Sequence, residues 1–142
     1  MMKTRSKIAN QDGVAAVEFA IILPFLVILI FGMIEFSLVL YNKAMITNAS
    51  RVGARDKIAG FSDSDIGNLV TAYCNTHLIN LGGANNTVSA GDVVVAPVIL
   101  TNGAKDGVSV TVAYDYNFLF ASLIGLNQTS ISLSGQTIMR NE

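Results

Sequence analysis

The sequence predicts an α+β protein. A long amino-terminal transmembrane helix continues into a small head that holds a second helix and a three- to four-stranded antiparallel sheet. Three observations predict it. Residues 19–34 form an uncharged run, "FAIILPFLVILIFGMI". Helical spacing of apolar residues continues beyond that run. Within the last fifty residues, "VSVTVAYDY" and "SISLSGQTI" alternate apolar with small or polar side chains, as half-buried strands do.

Composition supports the membrane element. The 142 residues suffice for one small domain plus one extended element. They are 51% hydrophobic and only 13% charged, with a mean hydropathy of +0.52, which is too apolar for an ordinary soluble domain. A net charge of −1 gives no basic face for nucleic acid. The lone cysteine, Cys74, excludes an internal disulfide framework.

From Val14 to Tyr41 the only charges are Glu18 and Glu35. At about 1.5 Å per residue, Val14 to Glu35 spans roughly 32 Å, close to the hydrocarbon thickness of a bilayer. Both carboxylates then lie near membrane interfaces, where charge costs least. One transmembrane helix over residues 14–41 follows. Residues 1–13 before it form a basic leader with Lys3, Arg5 and Lys7. A basic start before an apolar run outlines an export signal, but this run is longer than a signal peptide's and no small-x-small site closes it. The polar leader instead ends at Gly13, so cleavage there leaves the apolar helix on the product.

The stretch Gly13-Val14-Ala15-Ala16-Val17-Glu18-Phe19 looks like the prepilin-peptidase recognition pattern of Flp/Tad-type pilins and pseudopilins. More closely, "GVAAVEFAIILPFLVILIFGMIEF" resembles the opening of TadE-like proteins of the tight-adherence pilus system. "ASRVGARDKIAG", with Arg51, Gly53 and Arg55, and the closing "IMRNE", with Met139, Arg140 and Glu142, resemble that family as well. The resemblance implies a pilin-like fold and a cut between Gly13 and Val14, with Glu18 and Phe19 as the processing and assembly motif. It further implies a leader in the cytoplasm and a head exported across the bacterial inner membrane. The implied partners are other pilins or pseudopilins, a prepilin peptidase, inner-membrane assembly proteins and the lipid bilayer. Charge counting alone does not orient the span, because Lys43, Arg51 and Arg55 follow it closely.

Glu18 has two readings. A cut after Gly13 creates an α-amine on Val14, largely protonated at neutral pH. Glu18 of a neighbouring subunit can pair with it in a dry core, where misregistered packing strands both charges. Alternatively Glu18 snorkels at the interface or favours the helix amino terminus. Pro24 either marks a turn that melts on leaving the bilayer or is an ordinary transmembrane proline. Gly32 allows close helix packing.

Residues 42–142 comprise the helix extension and head. Met45, Ala49 and Val52 recur at helical spacing between Tyr41 and Ile58, giving one helix from Val14 to Ile58, and Gly60 reads as its stop. "SDSD" at 62–65 lacks the later ligands of a calcium loop, so Ser62 or Asp63 reads as the cap of a second helix, Asp63 to Leu81. Cys74 and His77, one turn apart, form half a metal site that no second cysteine or histidine completes. The loop "NLGGANNTVSAGD" lacks a phosphate-binding pattern. Strands follow in "DVVVAPVIL", where Pro97 marks an edge or bulge, in "VSVTVAYDY", with Val108, Val110, Val112, Tyr114 and Tyr116 on one face, and in "SISLSGQTI", through Ile131 and Leu133. The second helix is the natural cover of that sheet.

No nucleophile–base pair, metal cluster, cofactor motif or nucleotide pattern emerges, so a non-enzyme is expected, with no metal and no cofactor. The leading expectation is a minor pilin or pseudopilin-like structural protein. The alternative is a permanently anchored, uncleaved single-pass component of a secretion or pilus-assembly machine. A membrane-tethered enzyme is the third.

Overall fold

The computed structural model describes residues 9–81, 87–99, 107–120 and 130–140, with side chains from Gly13 onward. The elements run α1 (Ala9–Ile58), α2 (Asp63–His77), a short 3₁₀ turn (Ala90–Asp92), β1 (Val93–Val98), β2 (Gly107–Asn117) and β3 (Ser130–Arg140). The strands form one antiparallel sheet in the order β1-β2-β3, so the expected α+β class holds with three strands. Two compact units result, residues 1–36 and 37–142.

In the first unit α1 is helical through Pro24. Every side chain from Gly13 to Ile30 is exposed. This stretch of α1 is long and apolar enough to cross a membrane, and none of it is buried within the chain.

The second unit has two layers. α1 ends as expected at Gly60, whose φ of 96° is open to glycine without strain. The Gly60 N–H bonds the Lys57 carbonyl and the Phe61 N–H bonds that of Asp56, the paired bonds of a Schellman stop. Ser62 caps α2 by accepting from the Asp65 N–H at 3.2 Å, as the "SDSD" stretch predicts. Lys57 adds an ion pair to Asp63 at 2.6 Å.

α2 buries Ile66, Val70 and Cys74, spaced four apart. These meet Val112, Tyr114, Tyr116 and Leu133 of the sheet, along with Ile46 and Ala49 of α1. The β2 alternation holds from Val110 onward, with Val110, Val112, Tyr114 and Tyr116 all buried, but not before it: Val108 is half-buried and Ser109 is buried instead. Across the β2–β3 ladder Tyr114 faces Leu133 and Tyr116 faces Ile131, and Ile131 remains 39% exposed. Pro97 lies on β1, an edge strand, where its missing N–H costs no ladder bond on the open side.

The expected end of α2 needs correction. α2 stops at His77 rather than Leu81, because Leu78 is extended (φ −72°, ψ 136°). The buried Asn42 holds the next residue in place: its amide donates to the Ile79 carbonyl at 2.8 Å and accepts from the Ile79 N–H at 3.0 Å. Of the apolar residues that carry the helical spacing, Met45, Ala49 and Val52, only Ala49 is fully buried. Val52 is 37% exposed and Met45 half-buried, whereas Asn42, Ile46, Ala49, Ser50, Gly53 and Ala54 face inward. Helix α1 lies too close to the sheet for larger side chains. A Cβ built on Gly135 of β3 would sit 2.9 Å from the Ile46 carbonyl and the Thr47 nitrogen, and Ser50 Oγ bonds Thr137 Oγ1 at 2.7 Å.

Candidate functional site

The residues expected to carry processing and assembly, Gly13, Val14, Glu18 and Phe19, lie on the exposed part of α1. Val14 and Phe19 are each 59% exposed and Glu18 is exposed as well. Val14 and Glu18 are four residues apart, so they share one helix face. α1 starts at Ala9, which places the Gly13–Val14 bond inside the helix. A Cβ on Gly13 would meet nothing within 4 Å, so no packing in the chain demands glycine there.

The second expected group divides by role. Arg51 and Arg55 are exposed one turn apart on α1, while Gly53 between them points inward. A Cβ on Gly53 would lie 2.8 Å from Val70, 3.2 Å from Ile66 and 3.3 Å from Val110, so this glycine is where α1 meets both α2 and the sheet. Met139 is half-buried opposite Val108, and Arg140 is exposed opposite Gly107 at the end of β3. Glu142 lies outside the described residues, as do the leader cations Lys3, Arg5 and Lys7. The Gly13–Phe19 group and the Arg51–Arg140 group belong to different compact units, so they are described as separate surfaces.

Cys74 and His77 do not converge. Cys74 is fully buried, and desolvation pushes its thiol up to about 11. His77 is exposed and stacks on Tyr73 with centroids 4.3 Å apart, one ring nitrogen bonding the Tyr73 carbonyl at 2.8 Å. Among the described residues no group of three or more His, Cys, Asp or Glu could hold a metal ion.

The residues that sequence reasoning missed are polar and structural. Asn42 fixes Ile79, and Asn75 grips Val88 the same way, accepting from its N–H at 3.0 Å and donating to its carbonyl at 3.2 Å. Each side-chain amide satisfies one residue's donor and acceptor together, and the two clamps bracket the connection from α2 to the sheet. Their partners are 37 and 13 residues away, so no local pattern announces them.

No curated protein and no solved structure matches the chain. The closing "IMRNE" lies outside the one stretch that a family model does match. That stretch, residues 13–55 from Gly13 to Arg55, is similar to the family described as TadE-like protein.

Proposed function

We propose that the chain is a minor pilin or pseudopilin-like subunit of a Tad/Flp-type pilus, held in the inner membrane by α1 with its head exported. A prepilin peptidase then cuts between Gly13 and Val14. The observation that carries this reading is the TadE-like match over α1, which opens at Gly13, with Glu18 five residues on and exposed. Other pilins or pseudopilins and the inner-membrane assembly proteins are its partners. An exposed run holding Phe19, Phe25 and Met33 needs lipid or neighbouring helices around it, since burying each such side chain is worth about 1.5–3 kcal/mol.

One observation favours the uncleaved alternative: the scissile bond lies within α1. A protease needs it unwound. The bond falls in the second turn, where helix ends fray, and Gly13 weakens the helix by about 1 kcal/mol relative to alanine. Gly13→Ala therefore strengthens the helix and adds a side chain beside the bond, and both effects oppose cutting.

Intact-mass analysis of protein from native membranes separates the readings. A chain starting at Val14, with Gly13→Ala inserted but uncut, is the expected result. A wild-type chain retaining its leader beside an active peptidase refutes processing and leaves the anchored component. Glu18→Leu tests assembly: it inserts at least as well as wild type and is cut, but is lost from sheared pili, because the Val14 amine stays buried without its carboxylate. Equal recovery of Glu18→Leu and wild type would leave Glu18 an interface residue only.

A further inference from the structure

Where α1 ends and α2 begins, Asp56, Phe61, Asp65, Ile66 and Leu69 line an open groove of about 370 Å³. Its walls are apolar and unusually open for such residues: Phe61 is 54% exposed and Leu69 41% exposed, while Ile66 forms a buried floor. Its rim is acidic. Asp65 is partly engaged by the Ser62 hydroxyl, and Asp56 has no ion pair among the described residues. Elsewhere on the same head Arg51 and Arg55 form an exposed basic ridge one turn long, also without an ion pair among the described residues. At 3.6 residues per turn the ridge lies roughly 120° around α1 from Asp56. A single copy therefore cannot bring its own arginines to its own groove.

We infer that the head binds a second copy of this chain, the Arg51–Arg55 ridge of one copy entering the Asp56–Asp65 groove of the next. Charge complementarity selects that occupant: the groove offers carboxylates above an apolar floor, and the ridge offers two exposed guanidinium groups on a helix. Donor and acceptor surfaces differ, and the contact proposed is the one made once per pair, which is heterologous. Such a pair leaves one copy with an unused groove and the other with an unused ridge, so the contact repeats along a row rather than closing a dimer. The groove is small beside a stable interface, so the contact is weak between free heads and gains strength where neighbouring copies are already held together. It goes beyond the proposed pilus role and does not depend on processing at Gly13.

Site-directed cross-linking of the full-length chain in membranes tests it. Two differently tagged copies are co-expressed, one carrying Arg55→Cys and the other Leu69→Cys. Cys74 is buried and gives no background. The expected product under mild oxidation is the mixed disulfide, well above either same-site product. A chain carrying both substitutions gives a ladder of oligomers. Asp56→Lys in the groove copy lowers the mixed product by at least about tenfold, since like charges then meet, and Arg51→Glu in the ridge copy restores it. That restoration shows the groove variant is folded. The mixed product persists when both copies also carry Gly13→Ala, which separates this contact from the processing reading. Same-site products alone, cross-linking of Leu69→Cys to a different membrane protein, or no cross-link at all would each overturn the inference.

Discussion

Helix α1 obeys opposite rules along its length. Between Gly13 and Phe36 its large apolar side chains point outward, with Phe25 72% exposed. Between Asn42 and Ala54 it turns inward a row made mostly of small or polar residues. The amino-terminal part is built to be covered by something outside the chain, so bulk on its surface is useful. In the head the helix backbone touches strand and helix neighbours directly, so bulk at the contact is what the fold excludes. Residue size at the helix surface thus reports what covers it better than hydrophobicity does.

The strongest way to break that contrast is to add bulk at the closest contact. Gly135→Val places its Cβ 2.9 Å from backbone atoms of Ile46 and Thr47, which cannot rotate away as a side chain could. Overpacking of this kind costs about 3 kcal/mol or more, a large share of a small domain's stability of about 5–15 kcal/mol. The expected outcome is a chain that inserts normally while its head becomes protease-sensitive. Limited proteolysis of membrane vesicles measures both, and a protease-resistant Gly135→Val head would show that α1 can lift off the sheet.

Next in size is Asn42→Ala. It leaves the Ile79 N–H and carbonyl without their partner in a part-buried setting, for a loss of about 1–3 kcal/mol. Chemical denaturation of the detergent-solubilised chain reads this directly. Asn42→Asp sharpens it: the acceptor survives, but the carboxylate faces the Ile79 carbonyl, so the loss should match or exceed that of alanine. A loss under about 0.5 kcal/mol, the usual scale for surface changes, would mean the clamp is incidental.

These two sites also mark where the sequence stops being legible. The strand face Val110–Tyr116 could be read because each residue repeats one decision, in or out, at period two. Gly60, Ser62 and Pro97 could be read because their backbone chemistry is local. Asn42 could not: a lone polar residue after "SLVLY" reads as the wet side of a helix until Ile79, thirty-seven positions on, is in view. Gly135 in "SISLSGQTI" reads as a weak point in a strand, and only the approach of α1 gives it a reason. The spacing of Met45, Ala49 and Val52 announces the helix but not its buried face, because periodicity scores apolar residues, whereas this contact is made largely by small side chains. The TadE-like likeness was legible for a different reason, a resemblance of the stretch opening at Gly13 that the match over residues 13–55 supports.

Next is the alkaline limb of stability. The Cys74 thiol, ordinarily near 9.0, is pushed up to about 11 by burial. The folded state therefore holds its proton where the unfolded chain releases it. This contribution is fully present below pH 9 and is lost as pH rises from 9 through about 11, to a ceiling of about 3 kcal/mol. Cys74→Ala should lower stability at pH 7 but flatten the decline between pH 9 and 11. Denaturation midpoints at several pH values compare the two slopes, and parallel slopes would show that Cys74 titrates as it does in water. Native protein should also resist thiol reagents at pH 8 until it is unfolded.

The smallest effect comes from one substitution made twice on the same helix. Gly53→Ala puts a methyl 2.8 Å from a Val70 methyl, 3.2 Å from Ile66 and 3.3 Å from Val110. Three side chains converge there, so relief along one direction tightens another. The overpacking cost of about 1–3 kcal/mol exceeds the gain of about 1 kcal/mol from replacing glycine in a helix. The net expectation is a loss of about 1 kcal/mol in head stability. Gly32→Ala meets nothing within 4 Å and lies in the other compact unit, so the head's denaturation midpoint should not move. Any effect of Gly32→Ala should appear only in pilus incorporation, where a neighbouring helix would need the space that its missing side chain leaves. A shift of the head midpoint by Gly32→Ala as large as that from Gly53→Ala would dissolve the distinction between the two halves of α1. Loss of incorporation with an unchanged midpoint would locate a helix-packing contact at Gly32.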